Sequence, residues 1–246
     1  MTTADRPMAV PAAHAVRTER TFLRFTLGQR WEHALLILSF TVLLLTGLPQ
    51  KYRAASWSLA ILSTPERLTL LRTIHHVAAV ILTAEVVFHL GAALAGMAKR
   101  RLSSAMFPTW QDVKDAGQMI RYLLFLSDRK PVFGKYSFEQ KFTYWFFFFG
   151  IGIMVITGFV LWFPILFTRV FPGGMVPAAK LAHSTEAVVA GIFLLVWHVY
   201  HVHVERLNLS IFTGWLNDRD MRRHHPLEYK RLTGESVDAP PGEETK

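Results

Sequence analysis

The sequence predicts an all-α integral membrane protein, a bundle of four membrane-spanning helices with both termini in the cytoplasm. Hydrophobic residues make up 51% of the 246 residues, and the mean hydropathy of +0.25 is too high for an ordinary soluble domain. Four apolar segments are each long enough to cross a hydrocarbon core of about 30 Å. Basic residues are concentrated in every second segment outside these spans, and those segments lie on the same side of the membrane.

The four predicted spans divide the chain into regions of different polarity. They cover residues 31–49, 74–97, 142–167 and 181–204, and the third contains no charged residue. We therefore expect an N-terminal segment over residues 1–28, a membrane domain over 29–204 with a loop at 98–141, and a tail over 205–246. The loop should hold short polar helices between Gln111 and Leu126. The charged tail is expected to fray after Asp218.

The distribution of Lys and Arg predicts the orientation. Of the 27 basic residues, 21 lie in the N-terminal segment, the loop at 98–141 and the tail, and six lie in the other two loops. Cytoplasmic loops carry the excess of Lys and Arg, so both termini and the long loop are expected in the cytoplasm. This bias also accounts for the net charge of +9, and we expect no nucleic-acid partner.

Several kinds of redox centre are excluded by composition. The chain contains no cysteine, so it has no disulfide, no Cys-ligated iron–sulfur cluster and no covalently attached haem of the CxxCH type. It also has no glycine-rich nucleotide-binding motif.

Histidines occur within the predicted spans at two depths. An imidazole in hydrocarbon is costly unless something binds it. Pairs of imidazoles on facing helices are typical of haem b, and an iron with two imidazole ligands carries electrons and does not bind oxygen. The pattern therefore predicts two haems and no catalytic residue. The outer layer holds His75, His76 and His183, and the inner layer holds His33, His89 and His198.

Spacing narrows the candidate ligands but leaves alternatives. His183 and His198 are 15 residues apart, which is about 22 Å of rise and roughly 60° from the same face of an α-helix. His89 follows His75 by 14 residues and lies on nearly the same face. Geometry alone thus allows either His33 or His89 as the partner of His198. His76 is the alternative to His75.

A Thr-Gly pair recurs near the outer ends of spans one and three. The two stretches are LLLTGLP, with Gly47, and IMVITGFVLWFP, with Gly158. Small residues let helices approach closely in a membrane. We interpret the likeness as similar packing and not as a repeat.

Three stretches resemble the gamma, or cytochrome b, subunit of respiratory formate dehydrogenases. They are KYSFEQKFTYW, VITGFVLWFP and MRRHHPLEYKRL, and the likeness covers most of residues 25–232. The family has a Lys-Tyr-Asn-x-Gly-Gln-Lys run where this chain has Ser137 and Glu139. The resemblance implies four spans and two haems b. The ligands it implies are His75 with His183 in the outer pair, and His33 with His198 in the inner pair; the family separation on span four is one residue shorter.

The resemblance also implies a function. It implies a diheme cytochrome b of the bacterial plasma (inner) membrane, an electron-transfer subunit that is not catalytic alone. Electrons would pass between a periplasmic iron–sulfur or multihaem cytochrome c subunit and the quinone pool. Tyr200 and His201, at the inner end of span four, are candidates for the quinone site. The alternatives are a self-contained electron shuttle of the b561 type and a non-redox transporter that uses buried His and Glu.

Overall fold

The computed structural model describes residues 20–100, 104–204 and 207–235. Within these ranges, four helices are long and apolar enough to cross a membrane. The prediction of an all-α bundle with four spans is confirmed, while the orientation of its termini stays a prediction. The elements are β1 Thr21–Leu23, α1 Leu27–Lys51, α2 Ser56–Ile61, α3 Pro65–Ala98, a 3₁₀ turn Ser104–Met106, α4 Trp110–Leu123, α5 Phe138–Trp162, α6 Pro164–Thr168, α7 Met175–Phe193, a π-helix Leu194–Val204, α8 Ser210–Thr213, β2 Trp215–Asn217, α9 Asp218–His224 and α10 Pro226–Thr233.

The bundle consists of two helical hairpins. Helix α1 packs mainly on α3, helix α5 packs mainly on α7, and contacts between α1 and α7 join the two hairpins. Short helices close both hairpins at one end, which we call the hairpin end. Strands β1 and β2 pair at the opposite end, which we call the ribbon end.

Side-chain caps define where two of the spans begin. Thr26 accepts a hydrogen bond from the backbone N–H of Gln29, and the Gln29 side chain accepts one from the backbone N–H of Thr26. Ser137 and Gln140 form the same reciprocal cap at the start of α5. A capping box satisfies two backbone donors that the helix itself leaves unpaired. The KYSFEQK run is therefore the loop and first turn that start α5.

Span four does not continue as a regular α-helix. From Leu194 to Val204 the backbone forms a π-helix, in which each hydrogen bond reaches one residue further than in an α-helix. A rotation of 100° per residue, which would set His183 and His198 about 60° apart, therefore does not apply to this stretch. The wider turn reduces the rotation per residue and brings His198 back towards the face of His183.

The expectation that the tail frays after Asp218 is wrong for the residues up to 235. Helices α9 and α10 fold back on the ribbon, and the side chain of Tyr229 is fully buried against Leu216 and Met221, with Phe22 packed beside them. This small core joins β1, near the start of the described residues, to the helices near their end. Residues 236–246, which include the Pro240-Pro241-Gly242 stretch, lie outside the described residues.

The loop before α5 is held to the tail by backbone contacts. His225 bonds the carbonyl of Gly134 through its Nδ1 at 2.9 Å, and the N–H of Leu227 donates to the carbonyl of Phe133 at 3.2 Å. The MRRHHPLEYKRL stretch therefore meets the two residues that precede the KYSFEQK run at the ribbon end. Together they close that end of the bundle.

Candidate functional site

Two histidine pairs face each other inside the bundle. At the hairpin end, the ring centroids of His75 on α3 and His183 on α7 are 6.4 Å apart. At the ribbon end, those of His33 on α1 and His198 on the π-helix are 6.3 Å apart. Each pair joins two different spans. The structure thus brings together the four residues that the resemblance implied as ligands, in the same two pairs.

The spacing of both pairs fits an iron held between two imidazoles. A metal–imidazole bond is about 2 Å long, so two ring centroids on opposite sides of one metal stand about 6 Å apart. Closer packing would leave no room for a metal, and wider packing could not coordinate it. Among the described residues, no three His, Cys, Asp or Glu side chains gather as a metal site. Two imidazoles suit a metal whose other ligands come from a porphyrin.

The two pairs lie well apart along the bundle. Thr46, which bonds His75 at the hairpin end, follows His33 by 13 residues on α1. At 1.5 Å per residue this is about 20 Å of helix. The arrangement holds one pair near each end of the membrane-spanning region.

Each histidine of the hairpin-end pair is oriented by a threonine on the facing helix. The Thr46 hydroxyl donates to the carbonyl of Val42 at 2.7 Å and accepts from His75 Nδ1 at 2.8 Å. The Thr157 hydroxyl donates to the carbonyl of Ile153 at 2.6 Å and accepts from His183 Nδ1 at 3.0 Å. A proton on Nδ1 leaves Nε2 as the nitrogen with a free lone pair. Both rings therefore present a metal-binding nitrogen.

The glycines after these threonines make room for the rings. A Cβ at Gly47 would stand 3.3 Å from Cε1 of His75, and a Cβ at Gly158 would stand 3.3 Å from Cε1 of His183. Such distances are tighter than ordinary van der Waals contact. Each Thr-Gly pair therefore supplies a hydrogen bond and a space for one imidazole. From the sequence we interpreted the glycines as helix-packing residues. We did not recognise a role for either threonine, although the recurrence of Thr-Gly was visible.

His89 makes different contacts from the paired histidines. Its Nδ1 lies 2.7 Å from Oε2 of Glu32, and its Nε2 lies 3.1 Å from the hydroxyl of Tyr144. Both ring nitrogens are thus engaged, and the ring links α1, α3 and α5. These contacts favour a hydrogen-bonding role for His89. The nearby carboxyl of Glu85 has a buried oxygen, Oε2, without a hydrogen-bond partner.

His76 points away from the pair formed by its neighbour. Its ring stacks on Trp162 with centroids 4.2 Å apart. Together with Val77 and Val80 it lines a cleft of about 390 Å³ beside Trp162. The structure places His75, and not His76, opposite His183.

Tyr200 and His201 lie beyond the ribbon-end pair. The His201 ring packs on Trp197 at 4.3 Å, and its Nδ1 bonds the Trp197 carbonyl at 2.9 Å. The Tyr200 ring lies 5.4 Å from that of His201 and is half exposed. Two polar groups therefore sit side by side at the surface of span four, within three residues of His198.

Comparison with known proteins identifies relatives over most of the chain. The family described as Prokaryotic cytochrome b561 matches residues 24–214. The cytochrome b556(fdo) subunit of formate dehydrogenase from Escherichia coli K12 is 22% identical over 219 residues, which cover 86% of this chain and 93% of that protein. The formate dehydrogenase cytochrome b556 subunit of Haemophilus influenzae is 23% identical over 216 residues, covering 87% and 85%. The nitrate-inducible cytochrome b556(Fdn) subunit of E. coli K12 is 26% identical over 100 residues, covering 40% and 45%.

Proposed function

The chain belongs to the prokaryotic cytochrome b561 family of membrane cytochromes b, and we propose that it binds two haems b and passes electrons between a redox partner subunit and the membrane quinone pool. Family membership makes the protein a haem-b electron carrier of the membrane. To family membership we add three proposals: the number of haems, the redox partner subunit and the reaction with quinone. The bacterial plasma membrane is the site of this activity.

The observation that carries the proposal is the pair of facing imidazoles at each end of the bundle. His75 with His183 and His33 with His198 have centroid separations of 6.4 and 6.3 Å, which match a bis-imidazole metal. The Thr-Gly supports at the hairpin end explain how the rings are held in the tautomer that a metal requires. The same spacing at both ends argues for two similar cofactors.

The protein and the cofactor would divide the chemistry between them. Haem b supplies one-electron redox chemistry, which no side chain of the chain offers. The four paired histidines would hold the haem iron, and Thr46 and Thr157 would orient the two imidazoles at the hairpin end. An iron held by two imidazoles would carry electrons and would not bind oxygen.

The proposed orientation follows from charge. The ribbon end carries the N-terminal segment, the loop before α5 and the tail, where 21 of the 27 basic residues lie, so we assign it to the cytoplasm. The hairpin end then faces the periplasm, where an iron–sulfur or multihaem cytochrome c subunit would dock. The relatives named as formate dehydrogenase subunits support a redox partner subunit.

We assign the quinone to the ribbon end, beside the His33 and His198 pair. Tyr200 and His201 are adjacent, polar and close to His198 in the chain. The Tyr200 hydroxyl can donate to a quinone carbonyl. The Nδ1–H of His201 is held by the Trp197 carbonyl, so its Nε2 is left to accept a hydrogen bond from a quinol hydroxyl. Quinone reduction there would take protons from the cytoplasm.

A second candidate function is a self-contained electron shuttle. The family description as a cytochrome b561 favours it, because the alternative considered from the sequence is a shuttle of the b561 type. Purification of the complex from its native membrane separates the two functions. A periplasmic redox subunit that copurifies in equal amount supports the first, and a haem-loaded chain that purifies alone supports the second.

The quinone assignment is tested with proteoliposomes that hold the haem-loaded chain. A quinol analogue should reduce the haem, followed through the absorbance of reduced haem b. The double variant Tyr200→Phe/His201→Ala should slow this reduction several-fold. Tyr52→Phe, which removes a hydroxyl at the hairpin end, is the matched control and should leave the rate unchanged. An unchanged rate in the double variant would move the quinone site elsewhere.

A further inference from the structure

Helix α4 in the long loop has an apolar face that nothing in the described chain covers. Four of its side chains share this face at helical spacing, and three residues after the helix extend it. All seven are exposed: Trp110, Val113, Ile120, Leu123, Leu124, Phe125 and Leu126. From the sequence we expected short polar helices here, and we did not recognise the amphipathic pattern of α4. None of the residues in the proposed haem and quinone sites lies on this surface.

The other sides of α4 differ from this face. One flank carries exposed polar and basic side chains, namely Gln111, Lys114 and Arg121. Asp112 and Met119 lie on the side that is partly buried against the protein. The helix thus has a packed side, an apolar exposed side and a basic exposed side. A helix with this division fits the boundary between water and hydrocarbon.

Polar contacts hold the start of α4 at the point where α5 enters the membrane. Lys141, in the first turn of α5, bonds both oxygens of Asp112 at 2.8 and 2.9 Å. One turn further along, Trp145 Nε1 donates to the carbonyl of Met106 at 3.0 Å. Burial alone would raise the pKa of Asp112, but hydrogen bonds from Lys141 and Thr109 outweigh it and hold the pKa below its ordinary value. The ion pair therefore persists at neutral pH.

The end of α4 carries an aromatic residue in an unusual conformation. Phe125 has φ of +58° in the left-handed region, where glycine is usual, and its side chain is 96% exposed. The N–H of Leu126 donates to the carbonyl of Arg121, and the N–H of Phe125 donates to that of Tyr122. This is a Schellman motif with phenylalanine at its glycine position. Transfer of the exposed Phe125 ring into an apolar environment would offset the free-energy cost of its strained backbone. Exposure of the ring to water would not.

We propose that α4 lies in the plane of the membrane interface, with its apolar face in the acyl boundary of the bilayer that the four spans cross. The attachment of α4 to the first turns of a membrane span favours lipid over a protein partner, because α5 itself exposes large apolar side chains such as Phe142 and Phe149. Lys114 and Arg121 then face the phosphate groups of the lipid. Helices of this kind bury their apolar face about 5–10 Å into the headgroup region.

Spin labelling tests the proposal directly, because the chain has no cysteine of its own. Single-cysteine variants carry a nitroxide in the haem-loaded full chain, reconstituted in vesicles of phosphatidylethanolamine and phosphatidylglycerol. The apolar series is Val113→Cys, Ile120→Cys and Leu123→Cys. The matched control series on the same helix is Gln111→Cys, Lys114→Cys and Arg121→Cys. The haem absorbance of each variant reports whether it is folded.

The measured quantity is the ratio of collision with oxygen, which concentrates in lipid, to collision with a water-soluble nickel chelate. We expect this ratio to be several-fold higher in the apolar series than in the control series, with a period of 3.6 residues along the helix. High nickel accessibility in both series would place the helix in water and overturn the proposal. Protection of the apolar series from both reagents would show a protein contact and would also overturn it.

Discussion

At the level of single residues, two threonine hydroxyls bond the Nδ1 atoms of the hairpin-end histidines and favour Nε2 as the nitrogen offered to a metal. Thr46 and Thr157 each donate to a carbonyl in their own helix, so each must accept from the imidazole that it contacts. A hydrogen bond from Nδ1 also raises the basicity of the ligand, which stabilises oxidised iron. In the proposed function, the threonines would therefore be positioning residues that act on the haem through the imidazoles.

Replacing Thr46 or Thr157 by valine should raise the midpoint potential of the hairpin-end haem without removing it. Valine keeps the shape of threonine but cannot accept the hydrogen bond. A tenfold change in equilibrium constant corresponds to about 59 mV for a one-electron couple, so a hydrogen bond of about 1 kcal/mol corresponds to about 40 mV. The rise in midpoint potential should not exceed this scale. A spectroscopic redox titration of each variant measures it.

Thr83→Val is the matched control for this prediction. The Thr83 hydroxyl also donates to a carbonyl in its own helix, that of Ala79, but no bond joins it to a paired histidine. Its variant should titrate like the unchanged protein. Equal shifts in all three variants would mean that the threonines act through helix structure and not through the imidazoles.

His33 and His89 should respond differently to the same substitution. We expect His33→Gln to lose the ribbon-end haem, because its ring faces His198 across a metal-sized gap. His89→Gln should keep both haems, because glutamine can still bond Glu32 or Tyr144. The haem content of the two purified variants decides between them. Loss of haem in His89→Gln alone would transfer the ligand to α3.

At the level of elements, the π-helix between Leu194 and Val204 matters most for the site. In a regular α-helix, His198 would lie roughly 60° away from the helix face that carries His183. Both residues nevertheless face a histidine of another span. The π-helix removes this conflict by lowering the rotation per residue. A π-helix depends on packing with neighbouring helices, so periodicity in the sequence could not predict it.

The small core at the ribbon end should depend on Tyr229. Truncation of this fully buried ring in Tyr229→Ala should cost about 3–5 kcal/mol of local stability. We expect the amides of β1 and β2 to lose protection in hydrogen exchange, while those of α1 and α5 stay protected. Leu227→Ala, an exposed position on the same helix, is the control and should change little. Protection that survives in Tyr229→Ala would mean that the ribbon is held by the bundle alone.

At the level of the whole molecule, the features set by local sequence were predictable and those set by distant contacts were not. Hydropathy predicted four spans because length and apolarity suffice to cross a bilayer. The fold of the tail depends on Tyr229 meeting Phe22, more than 200 residues away, so its charged composition was misleading. The candidate ligands were predicted by residue type and depth, but the choice of His33 over His89 required the family resemblance.

The two hairpins build the hairpin-end pair in a similar way. In each hairpin the first helix supplies a Thr-Gly pair and the second supplies the histidine that it supports. The two imidazoles then meet across the interior of the bundle. The recurrence of Thr-Gly was visible in the sequence, but its role in holding a histidine became visible only with the hydrogen bonds.

The haem content of the purified full chain tests the central claim most directly. The pyridine haemochrome assay, divided by protein concentration, gives the number of haems b per chain. Two facing histidine pairs predict about two. A value near one would leave one of the pairs without a cofactor, a value near three would require a ligand such as His89, and a value near zero would contradict the account altogether.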